Sequence, residues 1–162
     1  MARKAKRLAH REKPSSADSH TICAHESRKT EESAVKNLTY IALVDDQARV
    51  RTALARLLRL AEFEVSAFSS GEAFLASLGV RHPDCVILDV HMPGISGLDV
   101  QARLRAARLR IPVVFMTAAD DLALEQVAQE AGGAWLLRKP FSEAELLHAI
   151  GTALRFKPSD VS

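Results

Sequence analysis

From Tyr40 onward, short apolar runs alternate with segments whose apolar positions recur at helical spacing. Runs at 40–44, 64–68, 84–88, 112–116 and 134–137 predict five strands. Between and after them, Val50, Leu54, Leu57 and Leu58 mark one apolar helix face. Leu124, Val127, Ala128 and Ala131 mark another, and Leu146, Leu147, Ile150 and Leu154 a third. Ser69 with Glu72, and Ser142 with Glu145, have the spacing of a capping box, in which a hydroxyl and a carboxylate satisfy free backbone donors of the first helical turn. Ser96 with Asp99 is the same device with a shorter acid. Five strands alternating with five helices predict an α/β fold, a doubly wound parallel sheet covered on both faces. The runs are continuously apolar rather than alternating, which is the pattern of strands buried on both sides.

Residues 1–38 break this pattern. They are rich in Lys, Arg, Ser, Glu and His and cannot bury enough apolar surface to offset ordering entropy, so a disordered extension is expected there. The first 13 residues hold six of the 22 basic groups and one of the 20 acids, leaving a mildly acidic remainder of 16 basic and 19 acidic groups. A tail of this kind is usually solvated, although basic tails also touch nucleic acid or acidic partners. The expected organisation is an extension over 1–38, one domain over 39–156 and a short tail over 157–162. His20, Cys23 and His25 lie close together but make a weak metal argument, and Cys23 and Cys85 form no disulfide framework. No apolar stretch reaches the roughly 18 residues that a membrane helix needs, and the N-terminus lacks the apolar centre of a signal peptide. A cytoplasmic protein is expected.

Candidate chemistry collects where the strands stop. Asp45 and Asp46 close the first run, Asp89 the third and Thr117 the fourth, while Lys139-Pro140 follows the fifth. In an open parallel sheet the carboxyl ends of the strands share one edge, and ligands bind there. Three carboxylates, one hydroxyl and one ammonium would therefore converge. Crowded carboxylates repel one another and raise their own pKa values unless a cation offsets them. Mg2+, a hard cation that prefers oxygen ligands, suits Asp45, Asp46 and Asp89. Asp89 is the candidate nucleophile, since carboxylates form acyl phosphates. Lys139 and Thr117 would supply charge and a donor for a transferring phosphoryl group, a reaction governed by positioning and charge stabilisation. The Lys139-Pro140 bond could be cis. Taken singly, each residue has an ordinary reading: an Asp pair caps a helix, Lys-Pro makes a loop, and Thr ends a strand. Four such positions in the right order are far harder to obtain by accident.

These stretches, Ile41-Ala42-Leu43-Val44-Asp45-Asp46, Asp89-Val90-His91-Met92-Pro93-Gly94, Met116-Thr117-Ala118 and Lys139-Pro140-Phe141, resemble the receiver domain of two-component response regulators over residues 40 to about 156. The resemblance implies a flavodoxin-like sheet in the strand order 2-1-3-4-5. It implies that Asp89 accepts a phosphoryl group from a phosphohistidine of a sensor histidine kinase or phosphotransfer protein. Asp46 and Asp89 would bind Mg2+ directly, Asp45 largely through water, and His91 through its main-chain carbonyl. Thr117 and Lys139 would contact the phosphoryl oxygens. His91 and Ala119 would tune the acyl-phosphate lifetime by controlling access of water. Catalysis would be limited to self-phosphorylation and slow self-dephosphorylation, so the chain is not expected to be an enzyme in the turnover sense.

One position departs from the family pattern. The aromatic residue expected three before the lysine is replaced by Leu136, and Trp135 falls one residue earlier, on the opposite side of the strand. The expected role is a stand-alone receiver acting through an unknown downstream protein, with no sequence-specific DNA binding and no membrane contact. A homodimer through the fourth predicted helix, the fifth strand and the fifth predicted helix is also expected. The alternatives are a receiver-like interaction module or phosphate sink, and an aspartyl-phosphate hydrolase. The hydrolase needs an acid two positions after the first Asp, where this chain has Gln47. Arg49, Arg51, Arg56 and Arg59 on the first helix are candidates for choosing a kinase, or simply solvated.

Overall fold

The computed structural model describes residues 37–118, 124 and 134–156. Strand β1 (Tyr40–Val44) leads into α1 (Ala48–Leu60), β2 (Glu64–Phe68) into α2 (Gly71–Ser77), and β3 (Cys85–Asp89) into α3 (Gly97–Ala106). Then follow β4 (Val113–Ala118), β5 (Ala134–Lys139) and α4 (Glu143–Arg155). All four strand pairings are parallel, and the sheet order is β2-β1-β3-β4-β5. The parallel sheet is what the alternation of runs predicts, and its order is the flavodoxin-like one that the resemblance to receiver domains implies. Its carboxyl edge gathers the ends of β1, β3, β4 and β5.

Two apolar layers explain why the central strands are continuously hydrophobic. Ile41, Leu43, Cys85, Ile87, Val114 and Met116 pack on one side with Leu54, Leu58, Leu146 and Ile150 of α1 and α4. Their alternating neighbours Ala42, Val44, Val86, Leu88, Val113 and Phe115 pack on the other side with Phe74 of α2 and Val100 and Leu104 of α3. Each central strand thus buries both of its faces. Val50 and Leu57, from the face predicted for α1, and Leu147 and Leu154, from that predicted for α4, flank the first layer half-buried. Edge strand β2 mixes the exposed Glu64 and Ala67 with half-buried residues.

The boxes at Ser96–Asp99 and Ser142–Glu145 form as expected, with each hydroxyl accepting from the third helical N–H and each acid returning to the cap's own N–H. The Ser69–Glu72 box does not. Ser70 caps α2 instead and accepts from the Ala73 N–H. With the start shifted by one residue, Ala73 takes the position that an acid needs to close the box.

The extension expected over 1–38 lies outside the described residues except for Asn37 and Leu38. So do His20, Cys23 and His25, Ala119, the tail at 157–162, and the helix expected around 124–131 apart from Leu124, which is helical and buried. Among the described residues, no helix is long and apolar enough to cross a membrane.

Candidate functional site

The acid pair stands where β1 ends. Asp89 is the last residue of β3, and β1 and β3 run side by side with Val44 opposite Leu88. Strand register alone therefore brings the carboxyls together. Oxygens of Asp45, Asp46 and Asp89 all lie within 4.8 Å of one another. Asp45 is fully buried and Asp89 is 4% exposed. Neither Asp caps α1; its cap position is Gln47, whose own N–H donates to Asp45 Oδ1 at 2.8 Å. The His91 N–H donates to Asp89 Oδ1 at 3.2 Å, while the His91 side chain is exposed.

Lys139 arrives from two strands away. It ends β5, pairs with Ala118 of β4, and the peptide bond to Pro140 is cis. Its Nζ lies 3.4 Å from Asp45 Oδ2 and 3.5 Å from Asp89 Oδ2, so one ammonium bridges the two buried acids. Burial pushes the Asp89 carboxyl above its ordinary 3.8, and the charge of Asp45 adds to this; Lys139 and the His91 N–H pull the other way. Three carboxylates face one ammonium here, and Asp46 Oδ1 is buried without a hydrogen-bond partner among the described residues. A buried oxygen of that kind is costly unless it gains a partner. Hard oxygen donors, excess negative charge and an orphaned carboxylate oxygen together fit a divalent cation such as Mg2+.

Thr117 is buried in β4, one residue past Met116, which pairs with Asp89. Its hydroxyl donates to the Ala118 carbonyl at 3.2 Å rather than to an acid. Trp135 and Leu136 fall on opposite faces of β5, as strand alternation predicts. Trp135 flanks the α1/α4 layer and lies against Phe156 with ring centroids 5.9 Å apart, and Leu136 flanks the α2/α3 layer.

Three supporting residues are not singled out for these tasks by sequence reasoning. Arg51, one turn into α1, donates through Nη1 to the main-chain carbonyls of Asp45 at 2.7 Å and Asp46 at 3.3 Å. It is a clamp on the acid pair, not only a surface arginine; Arg59 is exposed and donates to the Val65 carbonyl at 3.1 Å. Gly97 lets α3 begin against the backbone of Asp89, where a Cβ would sit 2.6 Å from the Asp89 carbonyl oxygen. Glu72 Oε1 accepts from the Ile95 N–H at 3.2 Å, joining α2 to the loop after β3. The sequence holds a signal only for Arg51: a long cation one turn after an acid pair can fold back on it.

Comparison with known proteins identifies the family and the fold. The family model of the response regulator receiver domain matches residues 41–151. The response regulator protein TmoT of Ectopseudomonas mendocina is 42% identical over 118 residues, covering 73% of this chain and 54% of that protein. Full-length FixJ from B. japonicum superposes with a TM-score of 0.69 at 34% identity, covering 75% of this chain and 60% of that one. A response regulator receiver domain from Clostridium thermocellum gives a TM-score of 0.67 at 29% identity, with 73% and 95% covered. The chain belongs to the response regulator receiver domain family, the receiving modules of two-component systems. It spans about half the length of the curated relatives it matches.

Proposed function

We propose that this chain is the phosphoacceptor of a two-component or phosphorelay system, with Asp89 taking a phosphoryl group from a phosphohistidine of a sensor histidine kinase or phosphotransfer protein. The observation that carries this reading is the shared ammonium: Lys139 lies between Asp45 and Asp89, at the sheet edge where Asp46 adds a third carboxylate. In the step, an Asp89 carboxylate oxygen forms a bond to phosphorus as the bond from phosphorus to the imidazole nitrogen breaks. The electron pair leaves with the imidazole.

Asp46, Asp89 and the main-chain carbonyl of His91 would hold Mg2+, with Asp45 acting largely through water. Bound there, the cation supplies neutralisation of charge on the phosphoryl oxygens. Lys139 provides a fixed positive charge between Asp45 and Asp89. The Thr117 hydroxyl turns from the Ala118 carbonyl to the phosphoryl group, which gives β4 two arrangements and thus a means of reporting arrival. The exposed His91 side chain beside Asp89 sets, with Ala119, how readily water reaches the acyl phosphate. The setting is the cytoplasm, the chemistry is stoichiometric rather than turnover, and the output passes to a protein partner or a second copy.

The test is incubation with a small acyl-phosphate donor and Mg2+, followed by intact mass. A hydroxylamine-labile phosphoryl adduct is expected, and it is lost in Asp89→Asn. An unsubstituted chain that gains no adduct is an interaction module, and one that releases phosphate over many turnovers without a lasting adduct is a hydrolase.

A further inference from the structure

Among the described residues, three helices start with a serine cap, and two of them direct an acid back to that cap. Asp99 closes on Ser96 and Glu145 on Ser142. Glu72 in α2 has a different destination. It sits one position too early to close a box on Ser70, and its Oε1 reaches the loop between β3 and α3, accepting from the Ile95 N–H at 3.2 Å. That loop follows Asp89 directly and carries His91.

The loop is shaped to receive it. Gly94 adopts φ +79, a conformation that side chains disfavour, and a Cβ at Gly94 would lie 2.6 Å from Glu72 Oε1. The carboxylate therefore occupies the space that the missing side chain leaves. At its base the loop is held by main-chain bonds, Val90 N–H to the Met116 carbonyl and Gly97 N–H to the Val90 carbonyl. Between Val90 and Gly97, the bond from Ile95 to Glu72 ties the loop to another element. The Glu72 carboxyl is itself oriented by its own N–H and by Ser70, with Arg103 nearby, and these contacts keep it charged.

We infer that Glu72 is a positioning residue for the phosphoacceptor site: it fixes the loop that presents the His91 carbonyl beside Asp89, and so tunes affinity for a divalent cation without touching one. This rests on the phosphoacceptor reading above, and goes beyond it by assigning a task to a side chain on α2, outside the acid cluster. Partners that orient metal ligands commonly change affinity by about 10–100-fold. Glu72 is exposed and acts through main chain, so a smaller effect, about threefold or more, is expected.

The experiment uses the full chain with Glu72→Ala and Glu72→Gln. Amide hydrogen exchange of Ile95 is followed in metal-free protein, and the Mg2+ dissociation constant is measured by calorimetry. Glu72→Ala should speed Ile95 exchange about three- to tenfold, the range that a net hydrogen bond contributes, and raise the Mg2+ dissociation constant about threefold or more. Glu72→Gln keeps an acceptor oxygen and should stay within about twofold of the unsubstituted chain on both measures. Unchanged Ile95 exchange in Glu72→Ala, or faster exchange with unchanged Mg2+ affinity, overturns the inference. So does a glutamine variant that behaves like the alanine one. Failure of the unsubstituted chain to bind Mg2+ would overturn the phosphoacceptor reading instead, and Ile95 exchange reports on the clamp independently of that result.

Discussion

Arg51 donates to the main-chain carbonyl of Asp45 at 2.7 Å, so the helix that follows the acid pair reaches back to hold it. The same Nη1 lies 3.3 Å from the Asp46 carbonyl. Because the contacts are to carbonyls, they fix the backbone of the pair and leave the carboxylates to the site. Arg51→Ala should destabilise the domain by about 1–2 kcal/mol, the contribution of a partly buried hydrogen bond from a charged donor. Urea titration of the variant checks this.

Lys139 is the ammonium shared by Asp45 and Asp89. In Lys139→Met the two buried acids lose that partner. Removing one member of a fully buried pair costs about 3–5 kcal/mol; Lys139 is partly exposed, so about 1–2 kcal/mol is expected in metal-free protein. The same change makes the cluster more negative, so Mg2+ should bind more tightly and recover stability. Thermal melts with and without Mg2+ test both signs at once, and an identical loss in the two conditions would count against the shared-charge picture.

Asp89 gives a pH dependence of definite sign. Its folded-state pKa lies above the ordinary 3.8, chiefly because it is buried. The native state therefore holds the proton more firmly than the unfolded chain does. The stability this contributes is fully present below 3.8 and is lost as pH rises through the folded value. Asp89→Asn carries no such titration. In metal-free protein, the variant should gain on the unsubstituted chain as pH moves from below 3.8 to neutrality, as read by chemical denaturation. Adding Mg2+ at neutral pH should shrink the difference.

Gly97 meets the Asp89 carbonyl at the start of α3. In Gly97→Ala the new methyl would sit 2.6 Å from a backbone oxygen that has little freedom to move. A cost of about 2 kcal/mol is expected from this overpacking. Because the displaced group belongs to the nucleophile's own backbone, acyl-phosphate formation should slow as well. Comparing adduct formation rates with urea stability checks whether both effects occur.

Much of this architecture can be read from the chain, and the places where it cannot have physical causes. The runs at 40–44 and 64–68 coincide with β1 and β2: β1 is apolar from end to end, and in β2 Val65, Ala67 and Phe68 carry the run although Glu64 and Ser66 are polar. The later strands extend past their apolar runs. Thr117, Ala118, Arg138 and Lys139 remain in the ladder because β4 and β5 pair through main-chain groups, which polar residues supply as well as apolar ones. The cap of α2 is misplaced by one residue because Ser69 and Ser70 are adjacent and hydroxyls alone do not distinguish them. The convergence of Asp45, Asp46, Asp89 and Lys139 is legible because a parallel sheet puts successive strand ends on one edge. The reach of Glu72 to Ile95 is not, since it spans two separate crossovers and no periodicity encodes it.

The tilted ring contact between Trp135 and Phe156 has a practical consequence. The chain contains a single tryptophan, so its tryptophan fluorescence comes from one place, where the edge strand β5 meets the end of α4. Emission will therefore report how firmly that helix terminus is seated on the sheet, giving an optical readout at a position separate from the chemistry at Asp89.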